Sequence, residues 1–190
     1  MLKKKLLLAF ILGGMLLLAG GCDSQPVIAP QNKAPDFPAA APAPPNGDAT
    51  AAQAAIPITV YFADKNAERL VPVVHRLDRT AIGDPARAAM ELLLIGTKNT
   101  NLVNVIPPDT RLKSLVVKDR VAYVDFSKNI LKKGGSTEET FLVASVVNTL
   151  TEFPNIEKVQ FLVEGKKVGT IFGQVDVSEP LSRSEGIIKK

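Results

Sequence analysis

From Ala34 to Gly47 the chain is largely proline and alanine, and this stretch separates a part that can build a core from a part that cannot. The run Ala34-Pro35-Asp36-Phe37-Pro38-Ala39-Ala40-Ala41-Pro42-Ala43-Pro44-Pro45 has no apolar periodicity. It cannot bury enough surface to offset the entropy of ordering it. Residues 22–55 therefore read as a Pro/Ala-rich disordered linker, a semi-extended tether. Fully stretched at about 3.3 Å per residue, such a tether reaches about 100 Å. A globular domain has to begin near Ile56.

The residues before the linker have a different logic. Met1 to Lys5 is a positively charged start, Leu6 to Leu18 is apolar apart from Gly13 and Gly14, and Ala19-Gly20-Gly21-Cys22 follows. That order predicts a signal peptide over residues 1–21. The apolar run is too short and glycine-rich for a comfortable membrane span. Its ending resembles a lipobox, with Ala19 where Leu, Val or Ile is usual. The thiol of Cys22 would take a diacylglyceryl group and become the new N-terminus, and two acyl chains suffice for stable anchoring. The expected location is the extracytoplasmic face of the cell membrane, with the membrane itself as one partner. Cys22 is the single cysteine, so an intramolecular disulfide and a thiolate metal site are both excluded.

Charge points the same way. The formal net charge is +4, from 23 basic and 19 acidic residues. Removing Lys3, Lys4 and Lys5 with the signal peptide leaves 20 basic residues against 19 acidic ones. That balance predicts no nucleic-acid partner.

Beyond Ile56, period-two and helical patterns alternate. Ile58 to Ala63 reads as a strand, Asp64 to Glu68 as a turn, and Leu70 to Leu77 as a second strand, with Pro72 arguing for an edge position or a bulge. Asp84-Pro85 opens a helix with an N-cap and a proline at its first position. Its apolar face is expected at Ala88, Leu92 and Ile95, with Ala89 and Leu93 beside it, and Gly96 closes it. Pro107-Pro108-Asp109-Thr110 is a turn. Leu115–Lys118 and Val121–Phe126 flank Asp119-Arg120 as a tight hairpin. Ser136 and Glu139 match a capping box at the start of a second helix, which Pro154 ends. Val159–Val163, the turn Glu164-Gly165-Lys166 and a short return strand follow.

The order ββ-α-ββ-α-ββ predicts an α+β fold, a mostly antiparallel sheet with two helices on one face. The domain is placed at residues 56–176 and a C-terminal tail at 177–190. About 120 residues suffice to bury a core without disulfides.

Several of these segments are similar to one family. Tyr61-Phe62-Ala63-Asp64 and Ala88–Gly96 resemble the start of a GerM domain. Val105–Thr110 and Val121–Ser127 resemble its central turn and hairpin strand. Val146–Val159, followed by Phe161–Lys166, is the most specific stretch. The resemblance covers roughly residues 56–176. It implies a lipoprotein of sporulation or germination, and a ring-building-motif-like domain that self-associates or docks on envelope proteins. Members of the family with two copies of the domain are known, whereas this chain has one.

The residues do not assemble a catalytic set. His75, the only histidine, has no G-x-S-x-G nucleophile to serve and reads as an exposed strand residue. Asp125 and Ser127, followed by Lys128, lack a base, and Ser127 is expected to turn the chain. Gly134-Gly135 precedes a helix, where anions can bind, but without phosphate-loop spacing. Gly173 stands alone. Lys132-Lys133 and Lys189-Lys190 read as solvated clusters. Glu138, Glu139 and Glu157 make no metal-ligand pattern. The expectation is a non-catalytic interaction domain with no cofactor and no metal. The alternative is an envelope domain that binds a cell-wall fragment or small molecule in a pocket.

Overall fold

Asp119 and Arg120 both have positive φ, 52° and 62°. That is the geometry of a two-residue type I′ turn, whose twist matches the strands it joins. The turn pairs Lys118 with Val121 and sets the central hairpin in register. The computed structural model describes residues 55–189 apart from Lys133. The expected signal peptide at 1–21, Cys22, nearly all of the expected linker at 22–55, Lys133 and Lys190 lie outside the described residues.

The elements are β1 (Ala55–Asp64), β2 (Leu70–Asp78), α1 (Pro85–Ile95), β3 (Leu102–Val103), β4 (Leu112–Lys118), β5 (Val121–Phe126), a 3-10 turn (Lys128–Leu131), α2 (Ser136–Leu150), β6 (Lys158–Val163), β7 (Lys166–Lys167) and β8 (Leu181–Ser182). This is the α+β class expected from the sequence, with two helices and mostly antiparallel pairing. The strands divide between two sheets. One has the order β2-β1-β3; the other runs β4-β5-β6-β7, with β8 also on β6. β3 pairs with β1 only at Leu102 and Val103, and Pro107 and Pro108, which supply no N–H to a ladder, lie between it and β4. β5 and β6 pair in parallel. Their connection contains α2, the kind of crossover a parallel pair requires.

β2 is an edge strand, as Pro72 predicts. Leu70 spends its N–H and C=O on the C-terminal segment, donating to Ile187 and accepting from Lys189, both at 2.7 Å. In an antiparallel ladder the outward-facing residues alternate. Leu70, Pro72, Val74, Arg76 and Asp78 therefore face away from β1. The missing N–H of Pro72 costs no ladder bond.

Asp84 caps α1 as expected, accepting from Ala86 N at 3.0 Å and Arg87 N at 3.4 Å. The buried stripe keeps Ala89 and Leu93 of the expected face and is shifted around the helix from Ala88, Leu92 and Ile95. It consists of Ala86, Ala89, Met90 and Leu93, while Ala88 and Leu92 are half-buried and Ile95 is 80% exposed. The buried face meets β1, α2 and β4, and Ala89 and Met90 are fully buried there.

Of the capping box expected for α2 only the returning carboxylate forms, and it is one residue earlier. Gly135 is the N-cap, and Glu138, not Glu139, reaches back to accept from Gly135 N at 2.9 Å. Glu139 is drawn inward instead. Eleven of the fifteen α2 residues are buried, so this is a central helix with no solvated face to speak of. Phe62, Phe126 and Phe161 anchor the main core around it and are almost fully buried. Each is worth about 2–3 kcal/mol of hydrophobic burial. A second cluster, Tyr61, Ala63, Leu70, Phe141 and Ala144, lies on the other face of β1.

The sequence reading ends the domain at residue 176. In the structure Val177 is fully buried, β8 pairs with β6, and Ile188 bridges to Leu70.

Candidate functional site

Several interior polar groups of this domain bind its own backbone, among them Glu139 and Asn148. Glu139 has no exposure, yet its carboxylate has partners: Oε1 accepts from Ile171 N at 2.8 Å and Phe172 N at 2.7 Å, and Oε2 from Gln174 N at 2.7 Å. Burial pushes the Glu139 carboxyl up; these donors, with Val175 N–H, outweigh burial and hold it below the ordinary carboxylate value. A buried charge satisfied by several backbone donors is stable where an unpaired one is not.

A second network joins β1, α2 and the C-terminal segment. Tyr61 N donates to Thr149 Oγ1 at 3.1 Å. The Tyr61 hydroxyl donates to Glu152 at 2.8 Å and accepts from Arg183 Nη2 at 2.7 Å. Arg183 also pairs with Glu152 at 2.7 Å and donates to the Asn148 carbonyl at 2.9 Å. Burial and the bond to Glu152 raise the Tyr61 pKa, against the opposing pull of Arg183. The Asn148 side chain bonds Ser184 twice, donating to its carbonyl at 3.1 Å and accepting from its N–H at 3.0 Å.

The chemistry candidates fall apart in space. Asp125 accepts from Gly165 N at 2.8 Å, and Ser127 Oγ accepts from Arg111 N at 3.0 Å, so each ties one strand end to another. His75 lies on β2, half-buried, with a buried Nε2 that has no hydrogen-bond partner. Gly134 is packed so tightly that a Cβ would stand 2.5 Å from the Phe172 ring. Gly135 N is taken by Glu138. Glu157 pairs with Arg120 at 3.0 Å. Among the described residues no group of three or more His, Cys, Asp or Glu side chains converges as a metal site would need. Cys22, the predicted lipidation residue, lies outside the described residues.

Asn148 and Thr149 interrupt the apolar run Phe141–Leu150, and this was a readable signal that the helix buries polar partners. Nothing in the sequence names those partners.

An open cleft of about 380 Å³ lies beside Val103, Ile106, Pro107, Pro108, Lys132 and Phe172. Among the described residues its polar side chains are Asn104, Lys132 and Glu138. Asn104 and Glu138 are already bonded to Thr97 N and Gly135 N, which leaves a poor small-molecule site. The free edge of β2 offers more. Beyond the bridge to Ile188, no strand covers Pro72 to Asp78 among the described residues. Val74 sits in the middle of it, 59% exposed. An extended segment of another chain can add to such an edge.

Comparison with known proteins agrees with this architecture. Residues 59–169 match a family model described as "Sporulation and spore germination". The chain belongs to the GerM family. It is 32% identical over 135 residues to the spore germination protein GerM of Bacillus subtilis (strain 168), a match covering 67% of this chain and 36% of that protein. The chain thus spans about a third of that relative's length. The solved tandem GerMN domains of the same Bacillus subtilis protein align with a TM-score of 0.60 at 29% identity, covering 72% of this chain and 49% of theirs. The first GerMN domain alone aligns with a TM-score of 0.55 at 28% identity, covering 67% of this chain and 98% of its own. One GerM-family domain here corresponds to one such unit. Both strands of the β2 edge sheet's long hairpin lie largely in the matched region, whereas the Arg183 and Ser184 contacts lie beyond it.

Proposed function

We propose that this chain is an exported lipoprotein, anchored by acylated Cys22, whose GerM-family domain is a non-catalytic docking module in sporulation, germination or envelope complexes. The observation that carries this reading is the free edge of β2, with outward backbone groups from Pro72 to Asp78 and an exposed Val74. Interior polar groups bound to backbone support a rigid scaffold whose chemistry is binding. The signal-like start, the lipobox-like Ala19-Gly20-Gly21-Cys22 and the family membership support the location. A ring-building mode of assembly belongs to the same proposal.

Crosslinking and pull-down of the full chain from membranes tests the docking role. Capture of a partner or a second copy, lost in Val74→Lys, is the expected result. Recovery of monomer alone, or capture unchanged by Val74→Lys, overturns it. Cys22→Ala should move the protein from the membrane to the soluble fraction. Retention at the membrane would sink the acyl anchor.

A further inference from the structure

The pairing of the larger sheet places Leu112, Phe126, Val163 and Lys166 side by side across one end of it. The residues around this row are strongly basic. Arg111 and Lys113 flank Leu112, Lys128 lies two residues beyond Phe126, Lys166 and Lys167 form β7, and Lys132 follows the 3-10 turn.

The carboxylates nearby are already engaged. Glu164 binds Lys113 Nζ and accepts from Lys128 N at 2.9 Å, and the Lys113 ammonium with the Lys128 N–H holds its carboxyl below the ordinary value. Asp109 pairs with Lys132 at 3.2 Å. Asp125 is buried on Gly165 N. Glu138 is turned back onto Gly135 N. Arg111, Lys128, Lys166 and Lys167 are exposed, and none makes an ion pair among the described residues.

The row has a direction and a position. Four strands about 4.8 Å apart spread the cations along about 15 Å, as a line and not a ring. The N-terminal segment joins the domain at the other end. Ile56 borders the same cleft as Phe153 and Pro154. Arg120, at the β4–β5 turn, donates to the Pro154 carbonyl at 3.1 Å. That turn lies at the opposite ends of β5 and β6 from the row, about 20 Å away at about 3.3 Å per residue.

We infer that this basic row is a docking surface for a linear phosphate-bearing polyanion of the cell envelope. Lysine ammoniums are compact, hydrated point charges, suited to repeating phosphates without a shaped pocket. A line of them fits a polymer chain laid across the strand ends. The row's length, about 15 Å along one direction, matches a run of successive phosphates on one chain, and the lipid-headgroup arm of the test below separates that occupant from a bilayer. The location in the envelope rests on the export proposed above; the binding itself does not.

The test is fluorescence anisotropy of labelled long-chain inorganic polyphosphate with the full chain in neutral detergent, across a salt series. Neutralising four charges on a single-stranded polymer gives a slope of log K against log salt of about −3. The triple variant Lys128→Ala, Lys166→Ala and Lys167→Ala should reduce that slope to about −1 and weaken binding at least about tenfold. A control of equal charge change, Lys65→Ala, Lys98→Ala and Lys158→Ala, should bind as the parent does. Soluble dihexanoyl phosphatidylglycerol serves as the lipid-headgroup arm and should compete weakly at equal phosphate. Failure of the parent to bind, equal loss in the control triple, or tighter binding of the lipid overturns the inference. None of these results depends on Cys22 or Val74.

Discussion

Glu139 and Ile171 are 32 residues apart, and the buried carboxylate of one accepts from the backbone N–H of the other at 2.8 Å. This contact and its two neighbours bind α2 to a segment that begins where the family match ends at residue 169.

Replacing Glu139 by Gln leaves one acceptor oxygen for the N–H groups of Ile171, Phe172, Gln174 and Val175. We expect a loss of about 2 kcal/mol, since hydrogen bonds to a charged group are worth about 1.5–3 kcal/mol each and Gln keeps part of the set. Because the folded-state pKa lies below the ordinary value, the contribution is full above the unfolded carboxylate pKa of about 4.3 and drains away as pH falls toward the lower folded value. Urea melts at pH 7 and at about pH 3 check this: the gap between parent and Glu139→Gln should narrow at the lower pH. A gap that is constant or widens would contradict the assignment.

Tyr61→Phe removes the hydroxyl between Glu152 and Arg183 while keeping the ring that Arg183 Cζ approaches at 5.1 Å from its centroid. The ion pair itself survives. The expected cost is about 1 kcal/mol, the net worth of an ordinary hydrogen bond. Arg183→Ala should cost more, because it also uncovers the Asn148 carbonyl and the Tyr61 face. Thermal melts of the two variants give the order.

Truncation after Thr170 tests whether the last segment is an appendage. It removes Ile171 and Val177, both buried, strips Glu139 of its donors and frees the Asn148 amide. The truncated chain should lose its cooperative unfolding transition by near-ultraviolet circular dichroism. Asn148→Ala is a milder probe, expected to cost about 1–3 kcal/mol by leaving Ser184 backbone groups without partners.

Gly96 closes α1 at φ 82° and ψ −166°, a region almost reserved for glycine. A Cβ there would stand 2.2 Å from Asn104 Nδ2, and Asn104 Oδ1 accepts from Thr97 N at 2.9 Å. Gly96→Ala should cost about 1–3 kcal/mol. Gly83, with open space around its Cβ position and no positive φ, is the control. Gly83→Ala should leave the melting temperature nearly unchanged.

Much of this domain is local and was legible for that reason. The Asp84-Pro85 cap, the Asp119-Arg120 turn and the edge character of Pro72 each follow from a backbone preference set within a few residues. Of the expected α1 face, Ala89 and Leu93 are buried and Ala88 and Leu92 pack half-buried against the core. Ile95 is exposed, however, and Ala86 and Met90 are buried in addition, because helix rotation depends on what packs opposite. The capping box failed by one residue because Glu139 had distant N–H donors to satisfy.

The sequence by itself determined the order of the two helices and the longer strands, the hairpins, the lone cysteine at a lipobox-like site and the likeness to GerM; it carried no sign of β3, the 3-10 turn or β8. Turn chemistry, periodicity and motif spacing act over short stretches, so one chain displays them. Only the tertiary structure decided that the strands form two sheets, that α2 is central, that residues 171–189 complete the core, and that Arg111, Lys128, Lys166 and Lys167 gather at one end. Those facts depend on which distant backbone groups meet, and burial selects the partners only when the chain has closed.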